Sequence, residues 1–270
     1  MIYIHESNLL NKIRNNYNYK SEKIKSFYNE IYLEYRKKLQ NLDYSSEDIE
    51  VFKKAAMLID EYLIEIENFS SIINITSQSK FRSTFIEEIS SYLFAKLPLI
   101  ENDTFGIFNK NIFAGMKINN QMRIDIIPKD VDFCIGKKVF LKLDTAQELN
   151  IIIPIVCIEV KTYLDATMFG EVQYSSKQIK NASPNVKTYV LMEYNDVSKE
   201  KIISARYDNN LNEMFVLRGG SRKDNILETP MDAKTLLKYY CEIRNVVDNT
   251  DLEDEIIVPG KLLNPEETEN

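Results

Sequence analysis

Histidine is nearly missing from this chain: His5 is the only one in 270 residues, and no Cys-x-x-Cys pair occurs. That removes zinc sites built on imidazole and thiolate, Ser-His and Cys-His nucleophilic pairs, and a histidine general base. Cysteine is scarce as well. Cys134, Cys157 and Cys241 are odd in number and far apart, which reads as small buried hydrophobes rather than a disulfide framework. No apolar run reaches the roughly 18 residues of a membrane-crossing helix, and the opening MIYIHESNLLNKIR lacks the apolar core of a signal peptide. The expected location is therefore cytoplasmic. Any catalysis falls to carboxylates, lysines and a bound cation.

What is present is a well-mixed, hydrophobic-rich chain, 44% apolar and 28% charged, large enough for one domain or for a core with a helical appendage. The net charge of -7 is unevenly spread. Residues 1–40 carry eight Lys/Arg against four Asp/Glu, while residues 241–270 carry two against nine. The acidity is mostly a tail, so local basic patches remain able to hold phosphates.

Three regions are expected: a helical N-terminal part over 1–76, a core over 77–247 and an acidic tail over 248–270. Residues 7–41 show helical spacing (Ile24, Phe27, Tyr28, Ile31, Tyr32, Tyr35) and read as one or two helices. Their interleaved basic and tyrosine residues suit either a phosphate-contacting arm or a solvated amphipathic face. Ser46 is the expected N-cap of a helix over 47–69. A third helix, FRSTFIEEISSYLFAKL, carries Glu87 and Glu88 at its middle. From residue 103 short strands follow: IFNKNIFAGM, then NNQMRIDIIP with Asn119-Asn120 at the turn, then DVDFCI with its two acids on one face, then Lys137-Lys138 turning into another apolar strand, and a loop over 144–150.

The chain is organised around residues 152–182. From Ile152 to Ile158 it reads as a strand covered on both faces, and it ends abruptly in Glu159-Val160-Lys161. Strand side chains alternate, so Glu159 and Lys161 share a face. Such an end is either an ion pair or a site for a metal or phosphate, because unpaired buried charge is costly. Asp165 then caps a helix over 166–180, on which Gln173, Lys177 and Lys180 share one side, and Val186–Tyr194 completes a strand-helix-strand crossover. A loop to Asn212 and a strand EMFVLR lead to Arg218-Gly219-Gly220-Ser221-Arg222-Lys223, the sharpest basic cluster. It reads as a loop that can bring Arg218, Arg222 and Lys223 to a phosphate or a base edge, or as a plain surface loop. Residues 232–247 form a last helix.

Asp132 and Glu159, carried by neighbouring strands, make a hard oxygen site suited to Mg²⁺, and Lys161 on the same side suits phosphodiester hydrolysis. At Asp132, Glu159-Val160-Lys161, the acidic helix FIEEISSYLF and the KTYLDATMF helix start, the sequence resembles the PD-(D/E)xK nuclease superfamily, and within it the type II restriction endonucleases. The resemblance covers about residues 80–195. It implies an α/β (α+β) fold with a central mixed β-sheet flanked by helices, Mg²⁺ with Mn²⁺ as a substitute, and duplex DNA as substrate. It also implies a homodimer or related-subunit dimer, and a cognate DNA methyltransferase. It further implies that Asp132, Glu159 and the Val160 carbonyl bind metal and that Lys161 positions the water. Glu87 or Glu88 would contribute through a second metal or a water, with Gln173 in support and Lys177 near the DNA. One departure stands out: Pro128 is followed by Lys129, so the literal Pro-Asp pair is missing and Asp130 competes with Asp132. A structure-selective repair nuclease and a catalytically silent DNA-binding module are the competing readings.

Overall fold

The computed structural model describes residues 3–15, 19–74, 80–142 and 148–250. The N-terminal part is helical: α1 (Ile4–Asn15), α2 (Tyr19–Phe27), a π-helical turn (Tyr28–Tyr32), α3 (Leu33–Gln40) and the long α4 (Ile49–Ile72). Then come α5 (Phe81–Phe94), a single turn α6 (Pro98–Glu101), strands β1 (Gly106–Phe108), β2 (Ile112–Ile118), β3 (Ile124–Lys129), β4 (Phe133–Lys142) and β5 (Glu148–Leu164). The chain continues through α7 (Ala166–Ala182), β6 (Lys187–Asn195), α8 (Lys199–Ala205), β7 (Glu213–Val216) and α9 (Ala233–Asp248).

The seven described strands form one mixed sheet flanked by helices, as expected. β5 is its axis. It pairs antiparallel with β4 over residues 148–158, parallel with β6 over residues 156–164, and touches β2 at Ile112–Ile152. The apolar run 152–158 is thus a central strand, and α7 is the parallel crossover between β5 and β6. Cys134 and Cys157 face each other across β4 and β5, buried and free.

Several local expectations are corrected. Asp48, not Ser46, caps α4: its carboxylate accepts from the Glu50 amide at 3.0 Å, while Ser46 belongs to a short 3-10 turn. The predicted strand over 107–116 is two strands, β1 and β2, because Asn111 takes a left-handed φ of 58° that breaks the ladder. The turn after β2 is longer than an Asn-Asn pair: Asn119 Oδ1 accepts from the amides of both Gln121 and Arg123. Lys137 and Lys138 do not turn but lie inside β4, which runs straight on past a register shift at Ile135/Gly136. Gly136 is required there, since a Cβ would sit 2.4 Å from the Ile153 carbonyl oxygen. The expected loop before Asn212 contains α8. The Ser77–Ser79 lead-in to α5, most of the 144–150 loop and the tail beyond residue 250 lie outside the described residues.

One apolar core joins helices to sheet, with Leu9, Tyr62, Phe85, Ile158, Val160, Tyr239 and Val247 all in it. Behind α1 the packing is polar but fully paired. His5 is buried, with Nδ1 bonded to Thr84 Oγ1 at 3.0 Å and Nε2 to Tyr62 Oη at 2.8 Å. Burial lowers its pKa to about 3. Below its ordinary value the unfolded chain binds a proton that the folded chain refuses, so this stability is present above about pH 6.5 and fades as pH falls toward 3. The advantage of wild type over His5→Asn in urea unfolding should shrink by about 2 kcal/mol between about pH 7.5 and about pH 5.

Candidate active site

Asp132 stands just before β4, and the β4–β5 register sets Phe133 opposite Ile158, which brings Asp132 beside Val160. The Val160 amide donates to Asp132 Oδ2 at 2.7 Å. Lys161 Nζ donates to the same oxygen at 3.2 Å and to Glu159 Oε2 at 3.1 Å. The three charged side chains expected to converge therefore do so, each only partly exposed at 18–27%. Asp130 lines the same cleft but is bonded elsewhere. Its carboxylate accepts from the Asn111 amide at 3.2 Å and ties the β1–β2 turn to the start of β4.

Burial raises the Glu159 carboxyl above its ordinary range and Asp132 adds to the rise, while Lys161 opposes it. Lys161 is pulled down by burial, but the two carboxylates outweigh this and leave it above the usual lysine value, so it is a firm cation.

Glu87 and Glu88 part company. Glu87 lines a cleft of about 770 Å³ together with Asp132 and Glu159. Burial, then the Asp132 charge, raise its carboxyl to about 7, against the pull of Lys161 and Lys80. Glu88 is fully buried and faces the other way, which corrects its candidacy for the site. It accepts from the His5 amide at 2.8 Å, the Glu6 amide at 3.2 Å, Tyr32 Oη at 2.9 Å and Tyr92 Oη, so it caps the N-terminus of α1.

Gln173 is also displaced from its expected place: its amide reaches Asp208 at 3.4 Å beside α8. The helix contribution comes instead from Ser175, whose hydroxyl donates to Glu159 Oε1 at 3.2 Å. The signal was in the sequence, since Ser175 lies three residues after Val172 and four before Ile179, a polar residue on the apolar stripe of α7. Lys177 is exposed. Among the basic loop residues, Arg222 and Lys223 are exposed, and Arg222 stacks 4.0 Å over the ring of Tyr163, two residues beyond Lys161 on the same side of β5. Arg218 is not a surface residue. It is 2% exposed and bonds Glu193 at 3.0 Å, Asp60 at 2.5 Å and the Thr229 carbonyl at 2.9 Å. The DNA contact expected of it is withdrawn, because its guanidinium is committed inside the fold.

Among the described residues no group of three or more His, Cys, Asp or Glu is gathered closely enough to hold a metal ion. The convergent donors are the Asp132 and Glu159 carboxylates, both drawn onto one ammonium. A carboxylate pair of this kind, with a third acid raised by their charge, fits a hard divalent cation.

No curated protein sequence is a significant match. Among solved structures the chain is similar to a native BbvCI A2B2 tetramer at low resolution, with a TM-score of 0.70 and 17% identity over 93% of this chain and 99% of that one. At this identity the likeness shows the fold alone, with the helical N-terminal part included. A family model described as Bpu10I restriction endonuclease matches residues 78–257, a span that takes in Glu87, Asp132, Glu159 and Lys161. The chain belongs to the Bpu10I restriction endonuclease family.

Proposed function

We propose that the chain is a type II restriction endonuclease that uses Mg²⁺, or Mn²⁺ in its place, to hydrolyse phosphodiester bonds of double-stranded DNA at a specific sequence. The observation that carries this is the single ammonium of Lys161 shared between Asp132 and Glu159 at the end of the central strand. Asp132, Glu159 and the Val160 carbonyl would hold the metal. Bound there, Mg²⁺ supplies a Lewis acid for the phosphate and lowers the pKa of water. Lys161 orients the attacking water and faces the charge that grows on the phosphate. The Val160 amide fixes Asp132, and the Ser175 hydroxyl fixes Glu159, so neither carboxylate has to reorganise. Glu87, poised near neutrality, takes part through a water.

Arg222, Lys223 and Lys177 are the exposed cations expected to meet phosphates. The solved neighbour is described as an A2B2 tetramer, and we propose that this chain likewise acts as a homodimer or with a related subunit. A cytoplasmic setting with a cognate DNA methyltransferase completes the reading. No helix among the described residues is long and apolar enough to cross a membrane.

The test is digestion of bacteriophage DNA with and without Mg²⁺, followed by sequencing of the ends. Discrete fragments with one common terminal sequence are expected. Cutting only at flaps or junctions would favour a repair nuclease, and DNA left intact with both Mg²⁺ and Mn²⁺ would favour a silent binding module.

A further inference from the structure

The cleft that holds Asp132 and Glu159 has a second wall which the chemistry does not use. It is α1, whose Ser7, Asn8 and Asn11 line the same cavity. Asn11 lies four residues after Ser7 and three after Asn8, so it neighbours both on one side of the helix. Lys80, at the N-cap of α5, and Lys110, in the β1–β2 turn, face the cavity from either side.

The α1 side brings no carboxylate into the cleft, whose acids are Glu87, Asp132, Glu159 and, near Lys110, Asp130. The one acid of α1, Glu6, is turned away and paired with Arg36 at 2.5 Å and with Tyr28 Oη at 2.9 Å. The wall is also rigid. Glu88 caps the first amides of α1, His5 is bonded on both ring nitrogens, and the Asn8 amide donates to Thr84 Oγ1 at 3.2 Å and to the Lys80 carbonyl at 3.4 Å. Ser7 and Asn11 are left exposed at the opening.

We propose that the Ser7–Asn11 side of α1, with Lys80 and Lys110, holds the sugar-phosphate backbone of the DNA strand next to the scissile phosphate. This rests on the nuclease reading given above. The Ser7 hydroxyl gives its proton to the Tyr3 carbonyl at 2.9 Å and the Asn8 amide is held by α5, so the donors that match phosphate oxygens are the Asn11 amide and the two flanking ammoniums. Their place across the cleft from Asp132 and Glu159 leaves them facing backbone, since the bond to be cut must itself lie between the walls. These are positioning residues: they touch DNA beside the reacting atoms rather than the reacting atoms.

The test uses the whole protein and a duplex bearing the site mapped from cleaved bacteriophage DNA. Asn11→Asp should raise KM roughly tenfold, the equivalent of one lost contact, while kcat falls less than about threefold. Asn11→Lys should shift KM in the opposite direction. Lys80→Ala and Lys110→Ala should each reduce the slope of log KM against log salt by about one. All four variants should melt with the wild type, because these side chains are exposed. Wild type that fails to cut any DNA overturns the nuclease reading itself. Wild type that cuts while all four variants match it in KM overturns only the wall. Asn11 variants that cut new sequences at unchanged KM would make the residue a reader of bases and overturn the backbone assignment.

Discussion

Lys161→Ala should cut DNA at least about 100-fold more slowly than wild type while still folding and still binding duplex. The lysine stands 3.2 Å from Asp132 Oδ2 and 3.1 Å from Glu159 Oε2, so its ammonium is, among the described residues, the positive charge bonded to both acids. In the proposed mechanism truncation removes the donor that orients water and faces the developing charge, a transition-state interaction whose loss belongs in kcat. It leaves the Val160–Asp132 and Ser175–Glu159 bonds intact, and the side chain is already 27% exposed, so little packing is lost. Lys161→Arg should be slow too, because a planar fork does not reproduce a point charge between two carboxylates. Single-turnover cleavage with Mg²⁺, paired with DNA binding in Ca²⁺, separates the two effects. A variant that cuts at nearly the wild-type rate would reduce the trio to an ion-paired strand end.

Arg218→Ala should cost about 3–5 kcal/mol of folding stability, the loss expected when one partner leaves a buried ion cluster. For a chain of this size that lowers the melting temperature by roughly 6–20 °C. Arg218 joins β6 through Glu193, α4 through Asp60 and the 217–232 segment through the Thr229 carbonyl. Glu193 is itself buried and also takes two bonds from Arg82 at 2.8 Å. Without Arg218 the Asp60 carboxylate keeps only the Met231 amide, at 2.9 Å. Arg222→Ala, four residues on, should melt with the wild type and instead weaken DNA binding with a shallower salt dependence. Urea unfolding and DNA titration of both variants check the contrast. Equal stability of the two would contradict the assignment of Arg218 to the interior.

These two arginines show where the sequence was legible. A covered strand ending in Glu159-Val160-Lys161 could be read because strand alternation alone puts its charges on one side, and Asp132 followed because the next strand must pair with it. The Asp165 cap and the α7 crossover were legible for the same local reasons. Arg218 and Glu88 were not. A charged residue in a loop or at mid-helix reads as surface unless its partners are known, and those partners lie far off in sequence: Arg218 with Asp60, Glu88 with the amide of His5. Gln173 and Ser175 were exchanged because helical spacing gives a face but not its direction, and the buried stripe of Val172, Ser175 and Ile179 is what turns toward Glu159.

Glu87 and Glu88 are neighbours on α5, one opening into the cleft and the other holding the start of α1. Successive helical residues point about 100° apart, so slipping α5 by one residue would put one glutamate in the other's place and an isoleucine in the place left behind. Either the cleft would lose its acid or α1 would lose its cap. The acid of the cleft and the seating of the wall opposite Asp132 and Glu159 therefore depend on one register of α5. A graft that brought in a new N-terminal helix without its α5 would arrive without the carboxylate that seats it.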